Sequence, residues 1–523
     1  MAVTPKVTSD TGLKVYGQAS FLLSDDTAEL CSFEEDAKDS FHRKCKIICT
    51  MGPSCWDVGM LVKLIDAGMN IARLNFSHGD FETHGNTIAK IREAAKQRPE
   101  KPVAILLDTK GPEIRTGFFR EDVGKSIDLV QGQELKVVTD YSFKGDSKCI
   151  AMSYPGLPKS VKPGGVILCA DGGLILKVKS CGEDHVITEV MNSKTIGERK
   201  NVNLPGVKVE LPVLQEKDKK DLVEFGIPQG VDFIAASFVQ NAGDVKLIRE
   251  TLGLRGRSIK IISKIENEEG IKNIDEIIQA SDGVMVARGD MGMEIPPEKV
   301  FLVQKMIIKK CNLHGKPVVT ATQMLESMTA SPRPTRAEAG DVANAVLDGT
   351  DCVMLSGETA AGQFPEQAVQ IMRRICEEAE SVLDYDNIYL QMRLGVLAME
   401  HSIMAVESVC SSAVKVSVDS GCKLIIALTE TGQTARLISK YRPKATILAI
   451  SASETSVRQL LCIRGVTPML TASFVGTDSV IAKALTRAKA DGMVVSGDWV
   501  VAIHGQKEEC PGSSNLMKMV SVP

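Results

Sequence analysis

The chain has 523 residues, 44% of them hydrophobic and 24% charged, with a formal net charge of −4. These values describe a globular chain of about three or four domains, without the basic face of a general nucleic-acid binder. Only 4% of residues are aromatic, so platforms for stacked bases are scarce, and no uninterrupted apolar run reaches the roughly 18–20 residues needed to cross a bilayer.

Residues 1–40 carry no strong pattern and read as an N-terminal arm; 1–17 alternate polar and apolar residues with no signal-peptide core. The chain therefore reads as intracellular, where its 14 cysteines stay reduced. There is no Cys-x-x-Cys pair, and no histidine completes a plausible zinc site around Cys45, Cys49 and Cys55. Most of these thiols are expected to pack as small hydrophobes.

Beyond the arm, short apolar runs recur at 46–50, 70–74, 103–107, 232–236, 259–263, 283–287, 317–321 and 352–355. Such near-continuous runs suit strands buried on both faces. Helical patterns lie between most of them, at 57–68, 82–97, 216–226, 242–253, 268–280, 297–314 and 338–348. Eight strands alternating with helices predict a TIM (β/α)8 barrel built from 41–111 and 211–382. The stretch 112–210 interrupts the rhythm. It is rich in Val, Ile, Gly and Lys, has alternating runs at 135–139 and 174–178, and is punctuated by Gly164, Gly165, Gly172 and Gly173. It reads as an inserted all-β unit, a β-barrel lid, leaving the barrel just after Asp108, Thr109 and Lys110. Residues 383–523 start the pattern again, with a long helix predicted over 396–418 and strands at 423–428, 445–450, 493–496 and 499–503, an open α/β regulatory domain.

In a TIM barrel, chemistry sits at the C-terminal ends of the strands. Strand two ends in Arg73, Asn75, Ser77 and His78, and strand three in Asp108 and Thr109, followed by Glu113 and Arg115. Strand five ends in Lys264 and Glu266, six in Arg288, Gly289 and Asp290, seven in Thr320, Thr322 and Gln323, and eight in Ser356 and Glu358. Lys264 and Glu266, two apart on an extended backbone, face one site together. Two hard carboxylates, Glu266 and Asp290, beside a point cation suit a magnesium ion bridging an anionic substrate. Asn75, Ser77, Asp108 and Thr109 offer oxygens for a second, larger cation. The backbone amides of 289–292 suit a substrate carboxylate. This inventory points to phosphoryl transfer. No G-x-x-x-x-G-K-[ST] loop occurs, so nucleotide phosphates must be held by side chains, metal and helix ends. His78 is too close to Ser77 in sequence to make a persuasive base for a serine nucleophile.

The segments ARLNFSHG at 72–79, DTKGPEIRT at 108–116, VNLPG at 202–206, ISKIEN at 262–267, MVARGD at 285–290, ATQMLES at 321–327 and MLSGET at 354–359 resemble, in family order, those of pyruvate kinases. The resemblance spans roughly 40–500 and carries the same layout of barrel, lid and C-terminal α/β domain. It implies transfer of phosphate from phosphoenolpyruvate to ADP, giving pyruvate and ATP, as the last step of glycolysis in the cytoplasm. It also implies a homotetramer, with Mg2+ (or Mn2+) and K+ as cofactors. By that resemblance Lys264 stabilises the transferring phosphoryl group and Glu266 and Asp290 bind the divalent metal. Arg73 contacts the substrate phosphate, and Gly289, Asp290 and Thr322 hold its carboxylate end, making Lys264, Arg73 and Thr322 the catalytic set. Asn75, Ser77, Asp108 and Thr109 match potassium ligands; Asn75, His78, Arg115 and Lys200 match nucleotide contacts.

Glu113 matches members that need a monovalent cation, in place of the lysine of those that do not. Asp171 is followed by Gly172 where paired aspartates often stand in the lid. The loop Thr429, Thr431, Gly432, Thr434 resembles an effector-phosphate loop, but Glu430 replaces the lysine often found in members activated by fructose 1,6-bisphosphate. An anion there disfavours a bisphosphate. Two other readings stand beside this one: a related barrel enzyme acting on phosphoenolpyruvate or pyruvate, and a catalytically inactive scaffold.

Overall fold

A computed structural model describes residues 43–400, 402–505 and 514–523; the expected arm at 1–40 lies outside them. The eight expected barrel strands form as Lys46–Thr50, Ile71–Asn75, Ala104–Asp108, Phe233–Ala236, Lys260–Ile265, Gly283–Ala287, Val318–Ala321 and Cys352–Leu355. Each pairs in parallel with the next, and the first closes on the last. Their residues are almost all buried, as the unbroken apolar runs require. Ile48, Ile71, Leu106, Phe233, Met285 and Val319 belong to the cluster filling the barrel, and Leu461 and Cys462 from the C-terminal unit join it.

Local chemistry sets the flanking helices. Asp57 accepts from the Met60 amide at the start of Val58–Ala67, which ends at Gly68 with φ 126°. Asp80 accepts from the Thr83 amide to open Phe81–Lys96, and Asn241 forms a capping box at Ala242–Leu252. Two expected helices differ. The 216–226 pattern is an α-turn, Glu216–Lys220, continued by a π-helical segment, Asp221–Gly226. The 268–280 pattern divides at Asn273 into Glu268–Lys272 and Ile274–Ala280.

The insert after strand three is a curled mixed sheet of seven strands, and its two end strands are bridged by the Gly117 amide to the Ala151 carbonyl at 2.8 Å and the Ser153 amide to the Arg115 carbonyl at 3.0 Å. Its order runs Ile114–Arg115, Asn201–Asn203, Val166–Cys169, Leu174–Cys181, His185–Val190, Glu134–Val138 and Cys149–Ala151, with Ser126–Leu129 and Lys194–Gly197 pairing separately. Ala170 and Asp171 take φ near +52° and +54° ahead of Gly172, a tight left-handed turn.

The C-terminal sheet orders Val466–Leu470, Thr446–Ser451, Leu424–Leu428, Trp499–Gly505 and Ser514–Ser521, the last antiparallel. Two expectations change here, and the strands Val466–Leu470 and Ser514–Ser521 are additional to those expected. The helix predicted over 396–418 is two helices, Tyr385–Met399 and Ala405–Asp419. The chain turns extended at Glu400 and Met404, so that Tyr389 on one helix and Cys410 and Val414 on the other face a single core. The run 493–496 is a loop whose Met493 and Val494 are buried by packing rather than by pairing. The strand Val466–Leu470 lies at the sheet edge, the one place where Pro468 costs no ladder bond.

Candidate active site

The register of the barrel brings the strand ends together. Asn75 pairs with Asp108 across strands two and three, and Asp108 with Ala235 of strand four. At the centre is Asp108, fully buried. Its Oδ2 accepts from Arg73 Nε at 2.6 Å and its Oδ1 from Lys264 Nζ at 3.1 Å. Burial penalises the Asp108 charge, and the two cations more than offset that cost, so its carboxyl lies below the ordinary value.

Lys264 Nζ also donates to Ser237 Oγ at 2.8 Å and lies 3.0 Å from Glu266 Oε1. Burial disfavours its charge, but Asp108 and Glu266 reverse the balance and raise its pKa. It is a fixed, permanently protonated cation and not a base. Glu266 Oε2 accepts from the Phe238 amide at 2.6 Å. Phe238 takes φ +56°, a left-handed conformation uncommon for its residue type, which aims that amide at the carboxylate. Glu266 Oε1 is buried against the Lys264 ammonium, while burial pushes the carboxyl up to about 7 against the pull of Lys264. Asp290 is raised in the same way, by burial first. Two neighbouring carboxyls whose charge burial penalises, with oxygen atoms as their only ligating groups, fit a hard cation. Among the described residues no three His, Cys, Asp or Glu side chains converge as a metal cage, so such an ion would complete its shell with substrate oxygens and water.

Thr322 and Gln323 both take left-handed φ, +70° and +52°. The strained turn is clamped from outside: Arg288 Nη2 donates to the Thr322 carbonyl at 2.8 Å and pairs with Asp341 at 2.7 Å. Thr322 Oγ1 accepts from the Gly289 amide at 2.7 Å and donates to the Ala321 carbonyl at 2.6 Å. A Cβ on Gly289 would stand 3.4 Å from that hydroxyl, at the near limit of ordinary van der Waals contact. Thr322, Gly289 and Asp290 are thus assembled as one corner.

On the lid side Glu113 takes Arg115 in an ion pair of 2.5 Å and accepts weakly from Ser77 Oγ at 3.4 Å. Ser77 in turn donates its amide to Asn75 Oδ1 at 3.1 Å. Thr109 Oγ1 accepts from the Ser237 amide at 3.1 Å. His78 and Lys200 are exposed, with the Lys200 amide bonded to Thr116 Oγ1 at 2.8 Å. The C-terminal loop lies far along the chain: Thr434 is buried on Ser514 at 2.8 Å, and Thr431 is exposed.

Two strand-end residues from the sequence reading do not face this centre. Glu358 is fully buried and accepts from the backbone amides of Leu325 and Ser356, at 3.1 and 2.6 Å. Thr320 is buried on Thr350 Oγ1 at 3.0 Å. The sequence reading missed Thr50, whose Oγ1 accepts from Arg73 Nη1 at 2.9 Å, and Ser237, which holds Lys264. Both follow the strand-end rule, at the close of strands one and four.

Family models for the pyruvate kinase barrel domain and the pyruvate kinase alpha/beta domain match residues 42–369 and 407–520. The chain is 60% identical to a pyruvate kinase of Eimeria tenella over 95% of this chain and 92% of the relative. It is 50% identical to a cytosolic isozyme of pyruvate kinase from Glycine max, covering 88% and 93%. A crystal structure of a Cryptosporidium parvum pyruvate kinase superposes with TM-score 0.88 at 54% identity, covering 92% and 96%. A pyruvate kinase of the same organism in complex with ADP gives 0.85 at 53%, covering 95% and 98%.

Proposed function

The chain belongs to the pyruvate kinase family and is a phosphotransferase, and we propose that it moves the phosphoryl group of phosphoenolpyruvate to ADP at the centre around Lys264. One observation carries this reading: a buried, charged ammonium held by Asp108, Glu266 and Ser237, with the carboxyls of Glu266 and Asp290 both raised by burial beside it.

Phosphoryl transfer asks for alignment and electrostatics more than covalent help. Lys264 supplies a preorganised positive charge where negative charge develops on the phosphoryl and enolate oxygens. Arg73, oriented by Asp108 and Thr50, receives the substrate phosphate. The corner of Gly289, Asp290 and Thr322 receives the substrate carboxylate. Glu266 and Asp290 would hold magnesium or manganese, which when bound neutralises phosphate charge and aligns oxygens. Asn75, Ser77, Asp108 and Thr109 would hold potassium, and Asn75, His78, Arg115 and Lys200 face the nucleotide from the lid side. The barrel comprises 41–111 and 211–382, the lid 112–210 and the regulatory domain 383–523. The assembly is a cytoplasmic homotetramer weakly or not at all activated by fructose 1,6-bisphosphate. Family membership and, for the compartment, relatives named as cytosolic isozymes support these points.

Pyruvate formation from phosphoenolpyruvate and ADP, with magnesium, in matched potassium and tetramethylammonium buffers tests the reading. Turnover confined to potassium is expected. No turnover in either buffer from folded protein overturns it.

A further inference from the structure

The α-turn Glu216–Lys220 and the π-helical segment Asp221–Gly226 that continues it have no part in the chemistry above. Such π segments recur at functional sites. This one follows two carboxylates a turn apart, Asp218 and Asp221, both buried. Burial penalises the charge of each, and packing alone gives no reason to keep them there.

Their partners lie in the loops after strands two and three. Asp218 Oδ1 accepts from the Gly111 amide at 3.1 Å, and Oδ2 from the Gln215 amide at 2.9 Å. Gly111 takes φ +69°, and a Cβ there would stand 2.8 Å from Cβ of Ser237. Ser237 Oγ donates to the Thr109 carbonyl at 2.7 Å and accepts from Lys264 at 2.8 Å. Asp221 takes Lys217 Nζ at 2.6 Å, and the same ammonium donates to the Phe76 carbonyl at 3.0 Å. The Phe76–Ser77 peptide is thereby fixed at both ends, since the Ser77 amide donates to Asn75 Oδ1 at 3.1 Å. The Phe76 amide donates to the Asp108 carbonyl at 3.0 Å, which ties the two loops together. Phe225 of the π segment packs edge-on against the Phe76 ring, centroids 5.2 Å apart.

We propose that Asp218 and the Lys217–Asp221 pair are positioning residues for the monovalent-cation site, an inference that rests on the reading of Asn75, Ser77, Asp108 and Thr109 given above. Amide, hydroxyl and carboxylate oxygens suit a large, weakly hydrated cation, and such ligands confer affinity only when their spacing is held. One helix sets that spacing from behind, through the Phe76 carbonyl in one loop and the Gly111 amide in the other. Lys217 and Asp218 do not touch the cation; they act through the peptides that carry its ligands.

The test compares the full chain with Lys217→Met, Asp218→Asn, Lys217→Arg and Lys219→Met. Lys219 is on the same helix but pairs with exposed Glu216, so its variant controls for weakening of the helix. Initial rates are measured across a potassium titration against tetramethylammonium at constant ionic strength, and melting curves are recorded in both salts. Lys217→Met and Asp218→Asn are expected to raise the half-saturating potassium concentration on the order of tenfold. They should also shrink the rise in melting temperature that potassium gives the unaltered chain, a readout independent of turnover. Lys217→Arg should restore most of both effects, and Lys219→Met should leave both in place. Should Asp218→Asn fold poorly, Lys217→Met, at a half-exposed position, decides. Lys217→Met with unshifted potassium dependence, or Lys219→Met shifting it as far, overturns the proposal. An unaltered chain without turnover or without potassium dependence counts instead against the reading of the site on which the proposal rests.

Discussion

Arg73 Nε lies 2.6 Å from Asp108 Oδ2 with both side chains buried, and the other oxygen of the same carboxylate takes Lys264. One buried anion thus fixes two cations from different strands. Replacing one member of such a set leaves the others uncompensated, at a cost on the order of 3–5 kcal/mol. Asp108→Asn is therefore expected to lower kcat/KM by at least two orders of magnitude and to lower the melting temperature. Steady-state kinetics and a melting curve check both effects together.

Lys264 acts as a charge and not as a base, because Asp108 and Glu266 keep it protonated. Its removal strips stabilisation from the transition state more than from the bound substrate. Lys264→Met should lower kcat on the order of 10²–10³-fold, the loss typical of a preorganised donor. KM for phosphoenolpyruvate should change far less. An unaltered kcat would sink the assignment.

The centre was readable because strand geometry is simple. Lys264 and Glu266 share a face by their spacing alone, and the barrel follows from eight apolar runs. Ser237 escaped notice because its strand ends in Ser-Phe, with nothing charged to draw attention. Glu358 misled for the opposite reason: a carboxylate at a strand end is also the best acceptor for turn amides, and here the amides of Leu325 and Ser356 take it. The C-terminal unit was harder, since Pro468 hid an edge strand and the break at Glu400–Met404 carries neither proline nor glycine. The strain at Phe238 and Thr322 has no sequence signature; tertiary contacts impose it.

Glu294 closes the helix that carries Gly289 and Asp290, and its Oε1 accepts from Asn203 Nδ2 of the lid at 3.1 Å. Burial pushes its carboxyl from 4.5 to about 7. In that window the folded chain holds a proton that the unfolded chain has released. The stability contribution is full below about pH 4.5 and is lost as pH rises through about 7. Glu294→Gln mimics the protonated acid, so the fall in melting temperature between those values should shrink, by on the order of 2 °C. Melting curves of both proteins across pH 4.5–7.5 test this; identical slopes would refute it.

Glu430 stands in the C-terminal loop, where a bisphosphate would meet an anion. Fructose 1,6-bisphosphate is expected to shift the phosphoenolpyruvate saturation curve less than about twofold, and Glu430→Lys to enlarge that shift. A large leftward shift in the unaltered chain would contradict the argument.

Glu113 gives the last prediction. It pairs with Arg115 at 2.5 Å and contacts Ser77 Oγ at 3.4 Å, so it brings a negative charge to the residues proposed to hold potassium. A negative group there needs a cation beside it, whereas a lysine would carry one on the chain. Exchange of potassium for tetramethylammonium should therefore reduce kcat at least tenfold. Glu113→Lys should abolish most of that dependence, and its release of Arg115 should appear separately as a higher KM for ADP. Initial rates of both proteins in the two buffers decide it: equal rates for the unaltered chain would remove the potassium site, and a Glu113→Lys chain still dependent on potassium would remove Glu113 as its cause.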